Sequence, residues 1–343
     1  FNAMSIDLME IDYNGDGSYS TSVKKGERLL ARYRNIYRAQ GQMTKNRYST
    51  LYSGEIFDEN YIMVGKEKYI SKDSSFDEFL GYDVIIYYEL ERGEKTAKLV
   101  LKSDKNDIID VCGKYVDYVS ERIDEIKYYE NETDSTLKRL KLDPAIAVIY
   151  NGISDSTYTV NDFKGEFTRL KFIDTNDDNK YDVVYINAYE EMFVNGISTI
   201  DNEIYNSFEY DGALKTLELE GYKNYVSIYK DGEQIELSDI KSGDILCIAQ
   251  SRSNDVRVIN ILVSSQIISG KLSYFNKSEN ELMIDGVKYL ISETYLKAFA
   301  AENRKTPELL SGKCYEFYIN AFGYVTAAKS LAVNEYGYLY RAY

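Results

Sequence analysis

The densest set of metal-competent side chains is Asp174-Thr175-Asn176-Asp177-Asp178-Asn179-Lys180-Tyr181-Asp182. With Asp174 as position 1, side-chain oxygens fall at positions 1, 3, 5 and 9: Asp174, Asn176, Asp178 and Asp182. Ca²⁺ wants several hard oxygens on one short loop, and the first half of an EF-type loop supplies them at this spacing. Position 6 is Asn179 rather than Gly, although Asn tolerates the left-handed turn. Position 12 is Tyr185 rather than a bidentate Glu, and the flanking patterns are strands, so the stretch is not an EF-hand. The competing reading is an Asx-rich hairpin turn capped by its own side chains. A second run, Asp12, Asn14, Asp16, Gly17 and Ser20, has similar spacing with the Gly in place and Val23 at position 12. Its competing reading is a turn that stops a terminal helix. Calcium at either place belongs to the ~10⁻⁴–10⁻³ M class of extracellular modules. It is the one cofactor these residues suggest.

Other chemistry is excluded by composition. The chain has 343 residues and no His, which removes the commonest general base, Ser-His and Cys-His nucleophiles, and His metal ligands. It has no P-loop and no GxGxxG after a strand. Glycoside hydrolysis needs only two carboxylates, but among 56 Asp and Glu chance pairs are inevitable and carry no signal. Cys112, Cys247 and Cys314 are widely spaced and odd in number, and read as buried thiols rather than a disulfide framework or metal site. The net charge, 41 − 56 = −15, repels phosphate backbones and anionic lipid, so neither nucleic acid nor a membrane surface is an expected partner. No apolar run approaches the ~18 residues of a membrane span, and Phe1 opens no signal peptide. The expectation is a protein that is not an enzyme.

The elements that must position these residues repeat. From Gly270 to Leu331 the chain reads as a strand, an Asp285-Gly286 turn, a second strand Val287 to Ile291, a short helical piece from Glu293 to Ala301, then Gly312 and two strands, Cys314 to Ile319 and Tyr324 to Leu331. An earlier copy runs from Gly41 to Leu101, with Lys68-Tyr69-Ile70 matching Lys288-Tyr289-Leu290 and Gly81 matching Gly312. A middle copy pairs Val226 to Tyr229 with Ile235 to Leu237 across Asp231-Gly232, and continues through Gly243, Ile245 to Ala249 and Val256 to Val263. A fixed order of elements used three times marks a modular array. Gly81, Gly243 and Gly312 occupy one place in each copy and are expected at positive φ, entering a strand. The 35 Tyr and 13 Phe, with no Trp, fit half-buried strands; the sharper alternative is a sugar-stacking face, for instance Tyr315, Tyr318 and Tyr324.

Between the copies, Ala145 to Tyr150 is a near-continuous apolar run of strand length bounded by Pro144 and Asn151-Gly152. Thr168 to Ile173 and Asp182 to Ala188 form a hairpin around the acidic turn. Ser120 to Lys141 has charges at i,i+4 spacing that fit a helix, against which Tyr128-Tyr129 argues. Phe1 to Met9 has apolar residues at helical spacing, and Glu27 to Tyr37 fits a short helix running into a strand.

Phe1-Asn2-Ala3-Met4-Ser5-Ile6-Asp7-Leu8-Met9-Glu10-Ile11 resembles the tail of the last S-layer homology motif of Gram-positive surface proteins. In those proteins the closing helix carries an Asn-Ala and a Leu-Met pair, as Asn2-Ala3 and Leu8-Met9 do here. The wall-binding motif would lie upstream, so no wall-binding residue carries over. The resemblance implies a secreted, extracellular cell-wall protein. It would hold cell-wall polysaccharide through an upstream region and would be able to self-assemble.

The expected fold is mainly β: tandem small β-barrel-like modules of SH3- or OB-like size, with short helices and an N-terminal helix remnant. The expected division is a helical remnant and linker over 1–33, module 1 over 34–105, an expanded module 2 with the acidic hairpin over 106–265, module 3 over 266–333, and a further strand or tail over 334–343. The expected function is a non-catalytic spacer, layer-forming or adhesion segment, the alternative being a carbohydrate-binding module array that uses exposed tyrosines.

Overall fold

The structure, a computed structural model, describes residues 7–13, 19–25, 35–52, 59–221, 223–253, 255–301 and 306–331. It is mainly β and divides into two compact units, Phe1–Ile186 and Asn187–Tyr343. That boundary falls inside the 106–265 stretch expected as one domain.

The N-terminal unit opens with an antiparallel hairpin, β1 (Asp7–Tyr13) and β2 (Tyr19–Lys25), closed by the pair Tyr13↔Tyr19. This corrects the expected helix over the described part of 1–33. Met9, Ile11 and Tyr13 also recur at period two, and short apolar runs fit either period until a partner strand decides. The helical reading of Glu27 to Tyr37 lies mostly outside the described residues; Ile36 and Tyr37 begin β3.

Strands β3 (Ile36–Lys45), β4 (Tyr61–Val64), β5 (Glu67–Ile70), β6 (Asp83–Glu91) and β7 (Glu94–Lys102) close into a barrel in the order β3-β4-β5-β7-β6. The closing contact is parallel, Ile70↔Thr96. A 3₁₀ turn, Ser74–Phe79, crosses from β5 to β6, with the Ser75 N–H capped by the Asp73 side chain.

Next come β8 (Asp107–Cys112), β9 (Val116–Val119), β10 (Glu125–Tyr128), β11 (Lys138–Tyr150), β12 (Ile153–Ser154), β13 (Thr168–Asp174) and β14 (Tyr181–Ala188). They form one sheet in the order β8-β13-β14-β11-β10-β9, with β12 on β11. Ser120 to Lys141 is therefore strand and turn, not helix. Ile126 and Tyr128 are buried on one face of β10 and the intervening Lys127 is not, the period-two signature.

The centre of the sheet, β11, β13 and β14, is buried on both faces. Val148, Phe172, Val184 and Ile186 point into its own core, while Ile149, Ile173 and Val183 point into the core of the barrel. This explains why Ala145 to Tyr150 reads as an unbroken apolar run: a strand with no wet face cannot alternate. Tyr185 ties the two layers, its hydroxyl donating to the Leu80 carbonyl.

The C-terminal unit repeats this construction. Strands β15 (Glu190–Ser198), β16 (Glu203–Asn206), β17 (Thr216–Glu218), β18 (Asn224–Lys230), β19 (Glu233–Gln234), β20 (Ile245–Gln250) and β21 (Arg257–Ser264) take the order β17-β16-β15-β20-β21-β18-β19. The second sheet contains β22 (Gln266–Asn276), β23 (Glu281–Ile284), β24 (Val287–Leu290), β25 (Cys314–Ile319) and β26 (Val325–Ser330), in the order β24-β23-β22-β25-β26. Helix α1 (Glu293–Ala300) is capped by Ser292, whose side chain accepts the Tyr295 N–H.

The last sheet reproduces the first: a meander, a short helical crossover, then two strands, with a parallel bridge Ile291↔Val325 where the barrel has Ile70↔Thr96. The middle copy differs. There the first strand of the Asp231-Gly232 hairpin, β18, runs parallel to β21 over seven register pairs. The copy therefore begins upstream, at β15, because β16 and β17 already supply the meander beside β15.

Candidate functional site

The acidic turn joins β13 to β14 and is held by its own side chains. Asp174, 4% exposed at the end of β13, accepts N–H bonds from Asn176 (3.0 Å), Asp177 (2.8 Å) and Asn179 (2.9 Å). Asn176 Oδ1 accepts the Asp178 N–H and Asp178 Oδ1 accepts the Lys180 N–H. Asp182 Oδ2 accepts the Thr175 N–H and hydroxyl, and its Oδ1 accepts the Asn176 side-chain amide. Asp177 and Asn179 take φ of 61° and 63°, the left-handed region that Asp and Asn tolerate best after Gly. Burial pushes the Asp182 carboxyl up, against the two Thr175 bonds, with the Asp174 and Asp178 charges adding to the rise.

The four predicted ligands are thus neighbours, but most of their oxygens are engaged by N–H and hydroxyl donors of the turn itself. Among the described residues no group of three or more Asp, Glu or Cys side chains is placed to hold a metal. Of the second run, Asn14 and Asp16 lie outside the described residues, and Asp12 pairs with Ser20 in the β1–β2 hairpin. Removing the acceptor of three N–H groups should be costly. Asp174→Ala is expected to lower the stability of the N-terminal unit by about 2–3 kcal/mol in urea titrations, because three charge-assisted bonds that set the turn are lost together. Millimolar calcium is expected to leave the melting temperature of the parent chain unchanged; a clear rise would show the same oxygens turned onto a cation.

A carboxylate that the sequence reading passed over is buried in the C-terminal unit. Glu191 lies on β15 two residues before Phe193, so both face the same side. That side is the seam with the last sheet, where Phe193, Phe208, Ile245, Ala298, Tyr318 and Ala327 form a common core. Glu191 is 6% exposed. Its Oε1 accepts the Asn320 side-chain amide at 2.6 Å and the Thr326 hydroxyl. Its Oε2 has no hydrogen-bond partner. Burial raises its carboxyl above the ordinary range. The side chains of Thr326, Asn320, Thr294 and Ser292 pull the other way, yet neither hydroxyl of the latter two satisfies Oε2 in bonding geometry. The one available signal was a Glu at the inward phase of an otherwise apolar strand, Glu191-Met192-Phe193-Val194.

Asn320 carries this contact to the surface. Its Oδ1 accepts the N–H groups of Phe322 and Tyr324, both at 2.9 Å, and so shapes the β25–β26 turn. The turn forms one wall of a cleft of about 980 Å³. The β18–β19 turn and the β21–β22 junction form the others. Lys230 Nζ donates to Ser265 Oγ at 2.6 Å, and the Ser265 hydroxyl donates to buried Asp244. Both sides of this serine are therefore engaged, which ties two of the cleft's lining residues, Lys230 and Ser265, to buried Asp244.

Tyr315 and Tyr318 do not form the expected stacking face. They are 3% and 4% exposed and enter different cores. The three cysteines form no disulfide; Cys247 is buried as expected, whereas Cys112 and Cys314 are only half-buried. Among the described residues no helix is long and apolar enough to cross a membrane. No protein-family model matches the chain, and no curated protein matches its sequence.

Proposed function

We propose that this chain is a non-catalytic spacer or adhesion segment of a secreted cell-surface protein of the S-layer type, built from tandem small β-barrel-like modules. The cell-wall polysaccharide would be held by a region outside this chain. One observation carries the reading: within each unit two sheets share a buried seam. Ile149, Ile173 and Val183 enter the barrel core in one unit, and Phe193, Ile245 and Tyr318 meet in the other. Modules of about 60 residues are only marginally stable alone, and fusing them in pairs gives each pair a larger core. It also removes a hinge from each pair, which suits a part that must hold a distance or present a surface. The acidic surface suits a wall-facing, soluble segment.

Calorimetry of the whole chain tests this. Two cooperative transitions are expected, one per unit; four separable transitions would mean freely hinged beads and would sink the proposal. An antibody raised against the chain should decorate intact cells of the organism that makes it.

A further inference from the structure

The cleft in the C-terminal unit has lining chemistry that points to one class of ligand. Tyr229 on one wall exposes 37% of its surface, and Phe322 on the facing turn is half-buried against Tyr189. The same cleft is lined by Lys230, Asp231, Gln266 and the Asn320 turn. The lining holds one cation and one anion, so it has no net preference for a charged ligand. Donors and acceptors are mixed, as hydroxyl groups require, since each hydroxyl both gives and takes a hydrogen bond. A purely apolar ligand would strand Asp231 and Gln266 against it, at the cost of their lost water. A phosphate-bearing ligand would meet Asp231 and a chain of net charge −15. The volume stands near the top of the ~300–1,000 Å³ range of ligand sites, room for several sugar rings.

From this we infer that the cleft binds a neutral oligosaccharide, its ring faces against Tyr229 and Phe322 and its hydroxyls on Lys230, Asp231 and Gln266. The buried Glu191 acts as a positioning residue through Asn320. This goes beyond the spacer reading and is independent of it, because a spacer needs no ligand and the calorimetric result is blind to one.

The whole chain is titrated by isothermal calorimetry and by NMR with neutral tetrasaccharides of β-linked glucose, N-acetylglucosamine and mannose, and with acidic counterparts. Binding of at least one neutral tetrasaccharide is expected. Tyr229→Ala and Asp231→Ala should each weaken it about tenfold. Tyr229→Phe, which keeps the ring, should change it by less than about threefold. Tyr229→Ala lies on an exposed side chain and is expected to melt with the parent, whereas Asp231→Ala should melt lower, because alanine is strained at the φ of 52° held by Asp231, and its binding is read well below its own melting temperature. No binding of any neutral tetrasaccharide at 5 mM ligand (about the weakest affinity worth the name) overturns the inference. So does binding restricted to acidic sugars, or neutral binding indifferent to both alanine variants.

Discussion

Glu191→Ala is expected to lower the stability of the C-terminal unit by about 3 kcal/mol, the range measured when a buried hydrogen-bonded polar group loses its partner. Two donors, the Asn320 amide and the Thr326 hydroxyl, lose their acceptor in a site that water does not reach. Glu191→Gln is expected to do the opposite near neutral pH. The glutamine carbonyl still accepts from Asn320 and Thr326, and its amide N–H replaces the unpartnered Oε2 and can donate to Ser292 or Thr294. The two variants separate further in pH. Burial raises the folded-state pKa of Glu191, so between the unfolded and folded values the folded chain holds more protons than the unfolded one. Its contribution to stability is thus best below the unfolded pKa and declines as pH rises through the folded one. Glu191→Gln should flatten that decline. Asp77 and Asp182, also raised mainly by burial, titrate in the other unit. The comparison must therefore follow the C-terminal unit's own transition, with parent and variant measured side by side from pH 4 to 8. Parallel pH profiles for the two would show that the carboxylate is ionised at no cost where it sits.

What the sequence made legible was whatever one short stretch decides by itself. Asp231-Gly232 and Asp285-Gly286 take φ of 52° and 84°, and 46° and 83°, because only small or Asx residues close a two-residue hairpin of that hand. Helix α1 falls on the short helical piece expected over Glu293 to Ala301. What remained hidden was whatever two distant stretches decide together. The pairing of β18 with β21 is parallel, and a strand carries no mark of its partner's direction. Glu191 looks like one more of 56 acids until Asn320 and Thr326 arrive from more than a hundred residues away. The seams were hidden for a related reason: a residue facing a neighbouring sheet and one facing its own core are equally apolar. The acidic turn was legible as a pattern and ambiguous as chemistry, since backbone N–H groups and Ca²⁺ ask for oxygens at nearly the same spacing.

The seam in the N-terminal unit gives the second large effect, and it separates three glycines that the sequence could not tell apart. Gly81, Gly243 and Gly312 hold φ of 87°, 96° and 87°, so an alanine at any of them costs about 1–2 kcal/mol for left-handed backbone alone. At Gly243 and Gly312 the added methyl meets nothing nearer than 3.7 Å and 3.9 Å. At Gly81 it would stand 2.8 Å from Val183 Cγ1 and 3.3 Å from Cγ2, on a sheet packed from both sides with nowhere to retreat. Overpacking of that kind adds about 1–3 kcal/mol. Gly81→Ala is therefore expected to destabilise its unit by about 3–4 kcal/mol, and Gly243→Ala and Gly312→Ala theirs by about half as much. The steric share has its own check. Val183→Ala alone should cost about 2 kcal/mol through the cavity it leaves, but with Gly81→Ala it vacates the space the new methyl needs. The double variant should thus be more stable than the sum of the two single losses, by about 1 kcal/mol or more. Strict additivity would place the cost wholly in the backbone and deny that the Gly81 turn is pressed onto β14.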